Sequence, residues 1–377
     1  MFHQSSALGT LGPRNRRASL AAGYGSGSAI LWRRRADQYS IGLFVPMSGV
    51  AGIWGPSAIA CATLAAEEIN RAGGLYGREL HLKCFNASDE VDDLTETTRE
   101  VIDAGGIEAI VGMHTSSVRR AVIAGCEGRV PYVYTALHEG GERSPGVFAL
   151  GETPERQLRP AIETLVREWS ARRWMFIGND YEWPWISHRL SRGYVGGAGG
   201  EVLEEHYVAL GSGVFDDVLQ RVADLKPDAV LLSLVGQDAI DFNRAFGEAG
   251  LGARVLRLSC AIEENILLAI GASNTENLFV SSGYFGALSD DGNMSFKERY
   301  HQRFGPRAPT LNSLGQSTYE GIRFAAALVR RALEARIPCP LDFDGVRGIT
   351  WTDNAHVGYP VHLARADGHA FQVVKSL

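Results

Sequence analysis

The chain has 377 residues, 45% of them apolar and 21% charged, with a formal net charge of −6. That length exceeds one ordinary core and suits two lobes of common domain size. The balance excludes wholesale disorder, and the negative charge excludes bulk attraction to nucleic acid or anionic membranes. No apolar stretch approaches the ~20 residues needed to span a bilayer.

The charge is unevenly spread. Residues 1–39 hold six arginines (Arg14, Arg16, Arg17, Arg33, Arg34, Arg35) against Asp37, a local +5 that leaves −11 for the remainder. Arg16-Arg17 ahead of Ala18–Trp32 has the outline of a worn twin-arginine export signal. Against it stand Gly23, Gly25, Gly27 and several serines, and the absence of an A-x-A cleavage site around Arg33–Arg35. Residues 1–38 therefore read as a basic, disordered extension or as the product of an upstream start codon. The protein is extracytoplasmic if that stretch is a degenerate signal and cytoplasmic otherwise.

From Tyr39 the chain alternates strand and helix. Ile41–Val45 is an apolar run ending at Pro46, and a helix follows over Pro56–Asn70, with Ile59, Thr63, Ala66 and Ile69 on one face and Gly73-Gly74 as its stop. Next come strand Leu80–Phe85, helix Asp92–Ala104, strand Ala109–Gly112, helix Ser117–Cys126 and strand Pro131–Tyr134. After Thr153-Pro154 the rhythm restarts: helix Arg156–Trp169, strand Trp174–Gly178, helix Pro184–Tyr194, strand Val202–Val208, helix Phe215–Asp224 and strand Ala229–Val235. Helix Ala239–Ala249, strand Val255–Ser259, a short helix and strand Leu278–Ser282 complete it, and helices near Ser295–Phe304 and Gly315–Ala335 follow. Three strand-like runs, near Val346–Trp351, Val357–Ala364 and Ala370–Val374, end the chain. This alternation predicts an α/β protein with two doubly wound parallel sheets.

Ligands of open parallel sheets bind where strand carboxyl ends meet helix N-termini. The loops in that position read Pro46–Gly49, Met113–Ser117, Thr135–His138, Asn179–Trp183, Gly236–Asp238 and Gly283–Phe285, and they concentrate hydroxyls, amides and aromatics. Enzyme hardware is missing: there is no Walker loop, H-E-x-x-H helix or G-x-S-x-G elbow. Gly23–Gly27 follows no strand, and Gly196–Gly200 reads as a helix stop. Cys61, Cys84, Cys126, Cys260 and Cys339 show no C-x-x-C spacing, so no metal, redox site or disulfide is inferred, and most read as small buried hydrophobes. No cofactor is implied.

Several stretches carry a resemblance: Ile41-Gly-Leu-Phe-Val-Pro-Met-Ser-Gly49, Ala66-Glu-Glu-Ile-Asn-Arg-Ala-Gly-Gly74, Ala109-Ile-Val-Gly112, Glu139-Gly-Gly-Glu-Arg-Ser-Pro145, Gly178-Asn-Asp-Tyr-Glu-Trp-Pro184 and Leu232-Ser-Leu-Val-Gly236. Together they resemble the type I periplasmic-binding-protein family, in the branch of leucine/isoleucine/valine receptors, urea receptors and the amide sensor of the aliphatic amidase operon. The resemblance runs from about Tyr39 to the C-terminus. It implies two lobes joined by a three-segment hinge, residues 39–152 plus 284–336 and residues 153–283 plus 337–377, which close on a small amide, urea or amino acid. A membrane permease and ATPase, or a regulatory partner protein, would receive the closed form, with no direct contact to nucleic acid and no catalysis.

The resemblance places a ligand-contacting Ser at Ser116, where an ordinary helix N-cap is the alternative. Tyr134 and Thr135 fall in the ligand loop, although Thr135-Ala136-Leu137-His138 departs from the Pro-Thr-Pro-Tyr of related amide receptors, which counts against simple acetamide. Tyr181 and Trp183 match an aromatic pair that can stack on a flat amide, and His114 stands where a Tyr is common. Gln237 and Asp238 follow the apolar strand; Asp238 either balances a ligand ammonium or stabilises the start of its own helix. Tyr284 falls on a crossing segment, with Ser48 and Trp54 at the rim.

Overall fold

The computed structural model describes residues 37–88, 91–334, 343–348, 350–352 and 355–377. The basic extension and Cys339 lie outside the described residues. Two sheets organise the rest. The first is wholly parallel, in the order β2-β1-β3-β4-β5, built from β1 (Gln38–Val45), β2 (Glu79–Asn86), β3 (Ala109–Gly112), β4 (Tyr132–Tyr134) and β5 (Val147–Ala149). Residues Tyr39–Val45 and all of β3 and β4 are buried, as strands covered on both faces require. Helices α1 (Gly55–Arg71), α2 (Val91–Asp103) and α3 (Ser116–Cys126) join these strands.

The second sheet follows α4 (Pro154–Glu168) and comprises β6 (Arg173–Asn179), β7 (Glu201–Val208), β8 (Ala229–Ser233), β9 (Leu256–Ser259) and β10 (Leu278–Ser282), connected by α5 (Glu182–Gly197), α6 (Asp216–Leu225), α7 (Gly236–Glu248) and α8 (Glu264–Ile270). These five strands are parallel. Two more join antiparallel at the edge after the chain has returned to the first lobe through α9 (Asp291–Phe304) and α10 (Ser313–Glu334). They are β14 (His362–Asp367) and β15 (Ala370–Ser376), giving the order β15-β14-β10-β9-β8-β6-β7. Between α10 and β14 in sequence lies a small antiparallel sheet of β11 (Phe343–Asp344), β12 (Thr350–Thr352) and β13 (Ala355–Gly358).

The α/β reading with two mostly parallel sheets is therefore borne out. The differences are local. Strand β5 was not anticipated, because three residues carry too little periodicity to stand out. The C-terminal runs divide into five strands rather than three. The apolar run expected as one strand over 229–235 stops pairing at Ser233.

Long-range packing seats α10 on α1. Small residues line the buried side of α1 (Ala58, Cys61, Ala62, Ala65), and a Cβ placed on Gly315 would come within 2.1 Å of the Ser57 hydroxyl. Only glycine lets the two helices approach this closely.

The chain crosses between the sheets three times, after β5, after β10, and ahead of β14. Polar contacts tie the crossings together. Ser281 Oγ donates to Gln157 O at 2.9 Å while Gln157 Nε2 donates back to Ser281 O, and Arg347 pairs with Glu152 at 2.9 Å.

Candidate functional site

Both parallel sheets direct their strand carboxyl ends toward one another, and the loops there enclose a cavity lined by Trp54, His114, Thr115, Ser116, Tyr134, Ala136, Leu137, Tyr181, Trp183, Val235, Ala261 and Leu314. Its volume is about 300 Å³. The lobes are closed on it. Gln237 N–H donates to Val50 O at 3.0 Å, Trp54 Nε1 to Glu263 Oε2 at 3.1 Å and Asn265 Nδ2 to Ile53 O at 3.0 Å, and Arg120 pairs with Glu182. At Gly236 the backbones nearly touch: its φ is +53°, and a Cβ would lie 2.0 Å from Val50 O.

The first lobe supplies the hydrogen-bonding edge. Thr115 is extended (φ −66°, ψ 161°) and makes no side-chain cap, so helix α3 opens on the cavity with the N–H groups of its first turn. Ser116 lies there but donates its hydroxyl to Glu139 Oε2 at 2.8 Å. Glu139 in turn pairs with Arg119, which also reaches Glu142 at 3.2 Å and lies 4.9 Å from the Tyr134 ring centroid. Burial works to raise the Glu139 carboxyl, but Arg119 and Ser116 outweigh it and hold it below its ordinary value. Tyr134 donates to His114 O at 2.6 Å.

His114 is wholly buried. Its Nδ1 lies 3.1 Å from Thr115 O, a group that can only accept, so Nδ1 carries the proton and Nε2 accepts from Tyr132 Oη at 3.0 Å. Burial drives its pKa down to about 3, leaving a neutral ring at physiological pH.

The second lobe supplies an aromatic wall. Tyr181 is the extended N-cap of α5 and Trp183 lies in its first turn, their rings 6.3 Å apart and tilted by 35°. Val235 and Ala261 complete this side. Behind Trp54, burial pushes the Glu263 carboxyl up to about 8.

Of the residues read from the sequence, His114, Ser116, Tyr134, Tyr181, Trp183 and Trp54 come together at the cavity. Thr135, Gln237, Asp238 and Tyr284 do not line it, which corrects their placement. Thr135 is buried beneath it and donates to Gly112 O at 3.3 Å. Gln237 is exposed and turns its amide to Asp241 at 2.8 Å. Asp238 is buried, but its Oδ2 accepts from Asn179 Nδ2 and Gly211 N–H, both at 2.7 Å, so the carboxylate clamps its own lobe. Tyr284 is buried by the hinge. Ser48 is exposed and accepts from Asn86 Nδ2 at 2.8 Å. Missed were Val235, Ala261, Leu137 and Leu314, because a search for polar loop residues passes over small apolar ones. The Arg119–Glu139 pair was also missed; an Arg on the inner face of a short helix was its one signal.

Residues 38–370 match the family model described as periplasmic binding protein. LivJ, the branched-chain amino acid transporter substrate-binding protein of Streptococcus pneumoniae in complex with isoleucine, is similar at 17% identity and TM-score 0.77, over 90% of this chain and 98% of that one. A solute-binding protein of an ABC transporter from R. palustris, in complex with 4-hydroxybenzoate, is similar at 18% identity and TM-score 0.80, over 90% and 96%. The leucine-binding protein LivK of Thermotoga maritima is similar at 18% and TM-score 0.75, over 90% and 98%. With a match over nearly the whole described chain, two mostly parallel sheets crossed three times and a closed cavity between them, this chain belongs to the periplasmic binding protein family, a family of substrate-binding proteins.

Proposed function

We propose that the chain is the small-molecule receptor of an ABC-type transport system and that its cleft takes a flat, uncharged amide or urea. The observation that carries this reading is the lining itself. It combines four aromatic side chains (Trp54, Tyr134, Tyr181, Trp183) with a helix N-terminus and hydroxyls, and its residues include no carboxylate and no cation at neutral pH. An amino acid brings an ammonium group, and burying that charge without a partner acid is costly. The carboxyl groups bonded to lining residues are already engaged, Glu139 with Arg119 and Ser116, Glu263 with the Trp54 indole. The small free volume also favours a ligand of few atoms.

In this reading the first-turn N–H groups of α3, that of Ser116 included, hold the ligand carbonyl, while the Ser116 hydroxyl, its proton given to Glu139, accepts from a ligand N–H; Tyr181 and Trp183 stack on the ligand plane, and Tyr134 and His114 shape the floor. The hinge then presents the closed form to a permease and its ATPase. The same closure would serve a cytoplasmic amide-responsive regulator acting through a partner protein.

A second reading is an aromatic carboxylate. The open helix N-terminus favours an anion, the rings favour an aromatic body, and similar R. palustris proteins are in complex with benzoate and 4-hydroxybenzoate. A thermal-shift screen of the full chain against urea, acetamide, propionamide, leucine and 4-hydroxybenzoate tests these readings. A ligand at 100 times its Kd adds about 2.7 kcal/mol. A shift with the amides or urea alone supports the first reading, and one with 4-hydroxybenzoate alone supports the second. A shift with leucine alone overturns both.

A further inference from the structure

A larger cavity lies at the hinge. Its volume is about 820 Å³, against about 300 Å³ in the cleft, and it shares no lining residue with the cleft. The two cavities meet α10 on different sides: Leu314 faces the cleft and Gln316, two residues on and so about 200° around the helix, faces the hinge cavity. Parts of the crossing segments (Gly283-Tyr284, Val346–Gly348, Pro360 and His362) close it against α9.

Its chemistry is mixed. Leu288, Phe296 and Val346 give it an apolar wall. Four other lining residues, Tyr284, Asn293, Gln316 and Arg347, each carry a buried polar atom without a hydrogen-bond partner: the Tyr284 hydroxyl, Asn293 Oδ1, Gln316 Oε1, and Nε and Nη2 of Arg347. Leaving a buried polar atom unsatisfied costs about 1–3 kcal/mol, so such a concentration at one cavity calls for a partner. Each of these atoms is itself closed to solvent, on a side chain that lines the cavity. The charge is already balanced. Arg347 Nη1 pairs with Glu152 at 2.9 Å, the Arg347 N–H donates to Glu320 Oε1 at 3.0 Å, and Asp290 adds a negative charge at the rim, so no positive charge is left over for an anion.

We propose that this hinge cavity is a second ligand site, for a small uncharged alcohol or phenol whose apolar body lies against Phe296 and Val346. Its hydroxyl accepts from Arg347 and donates to Gln316. Because the walls belong to the crossing segments, lobe rotation alters the site, and an occupant shifts the balance between open and closed forms by its differential affinity for them. The site does not depend on which ligand the cleft takes.

The test uses the full chain with 4-bromophenol as the probe. Saturating probe raises the wild-type melting temperature by ~2 °C or more. Leu288→Trp, which fills the cavity, abolishes the rise; Gln316→Leu, which keeps the volume and removes the acceptor, weakens binding about tenfold and serves if the first variant does not fold. Tyr181→Ala in the cleft leaves the rise intact. Absence of a wild-type rise, its survival at full strength in both hinge variants, or its loss in Tyr181→Ala overturns the proposal.

Discussion

The loops at residues 113–117 and 235–239 occupy equivalent places in the two lobes, each leaving a short buried parallel strand to begin a helix. They do different work. The first turns a helix start, a hydroxyl and a neutral imidazole toward the cleft. The second shows the cleft only Val235 and spends its acid, Asp238, on Asn179 and Gly211 of its own lobe. Topology fixes where a loop lies; the local hydrogen-bond partners fix what it offers. The polar groups of the cleft are therefore concentrated on the first lobe, among apolar residues that both lobes supply.

The largest test of that contrast is Asp238→Ala. It strands a buried amide N–H and an Asn side chain, so it should destabilise the fold by about 3 kcal/mol without altering ligand preference between neutral and charged molecules. Urea denaturation followed by ligand titration checks both; a stable variant with changed charge preference would return Asp238 to the cleft.

Trp183→Ala removes an apolar wall and should weaken the cleft ligand about thirtyfold, on the order of 2 kcal/mol, measured by calorimetric titration. Equal loss from Val235→Ala would mean that the second lobe acts by bulk contact rather than by its rings.

The buried ionisable groups differ too. Burial holds His114 and His188 down to about 3 and pushes Glu263 and Glu264 up to about 8 and about 7. Between pH 4.5 and 6.5 these offset, since the unfolded chain takes up protons on histidine that the native state refuses and releases carboxyl protons that the native state keeps. Above pH 6.5 only the carboxyls count. The unfolded state then binds fewer protons, so stability falls as pH rises to 8, by on the order of 2 kcal/mol. Glu263→Gln should flatten that slope in denaturant melts at pH 6.5, 7.2 and 8; an unchanged slope would locate the titration elsewhere.

Ser116→Ala removes one hydroxyl while leaving the first-turn N–H groups of α3, so about fivefold weaker binding is expected. Arg120→Ala breaks an exposed ion pair across the cleft, with side-chain exposures of 67% and 20%. It should change affinity less than fivefold and only at low salt.

Much of this architecture was legible. The apolar runs and glycine stops located the main strands and helices to within a few residues, because strands covered on both faces must be continuously apolar. The aromatic pair Tyr181 and Trp183 was legible because such residues stand out in a polar loop. Asp238 was not, because sequence gives its position at a helix start but not that Gly211, 27 residues earlier, would bring an N–H to it. Ala261 and Leu314 were hidden for the opposite reason: nothing in their side chains distinguishes a cleft wall from a core.

Gly236 holds one more consequence. Its backbone meets Val50 O so closely that any side chain there becomes a doorstop. Gly236→Ala would give a receptor that still recognises its cargo from one lobe but cannot shut. Such a permanently ajar form would separate capture from delivery: molecules would be held briefly and never handed on.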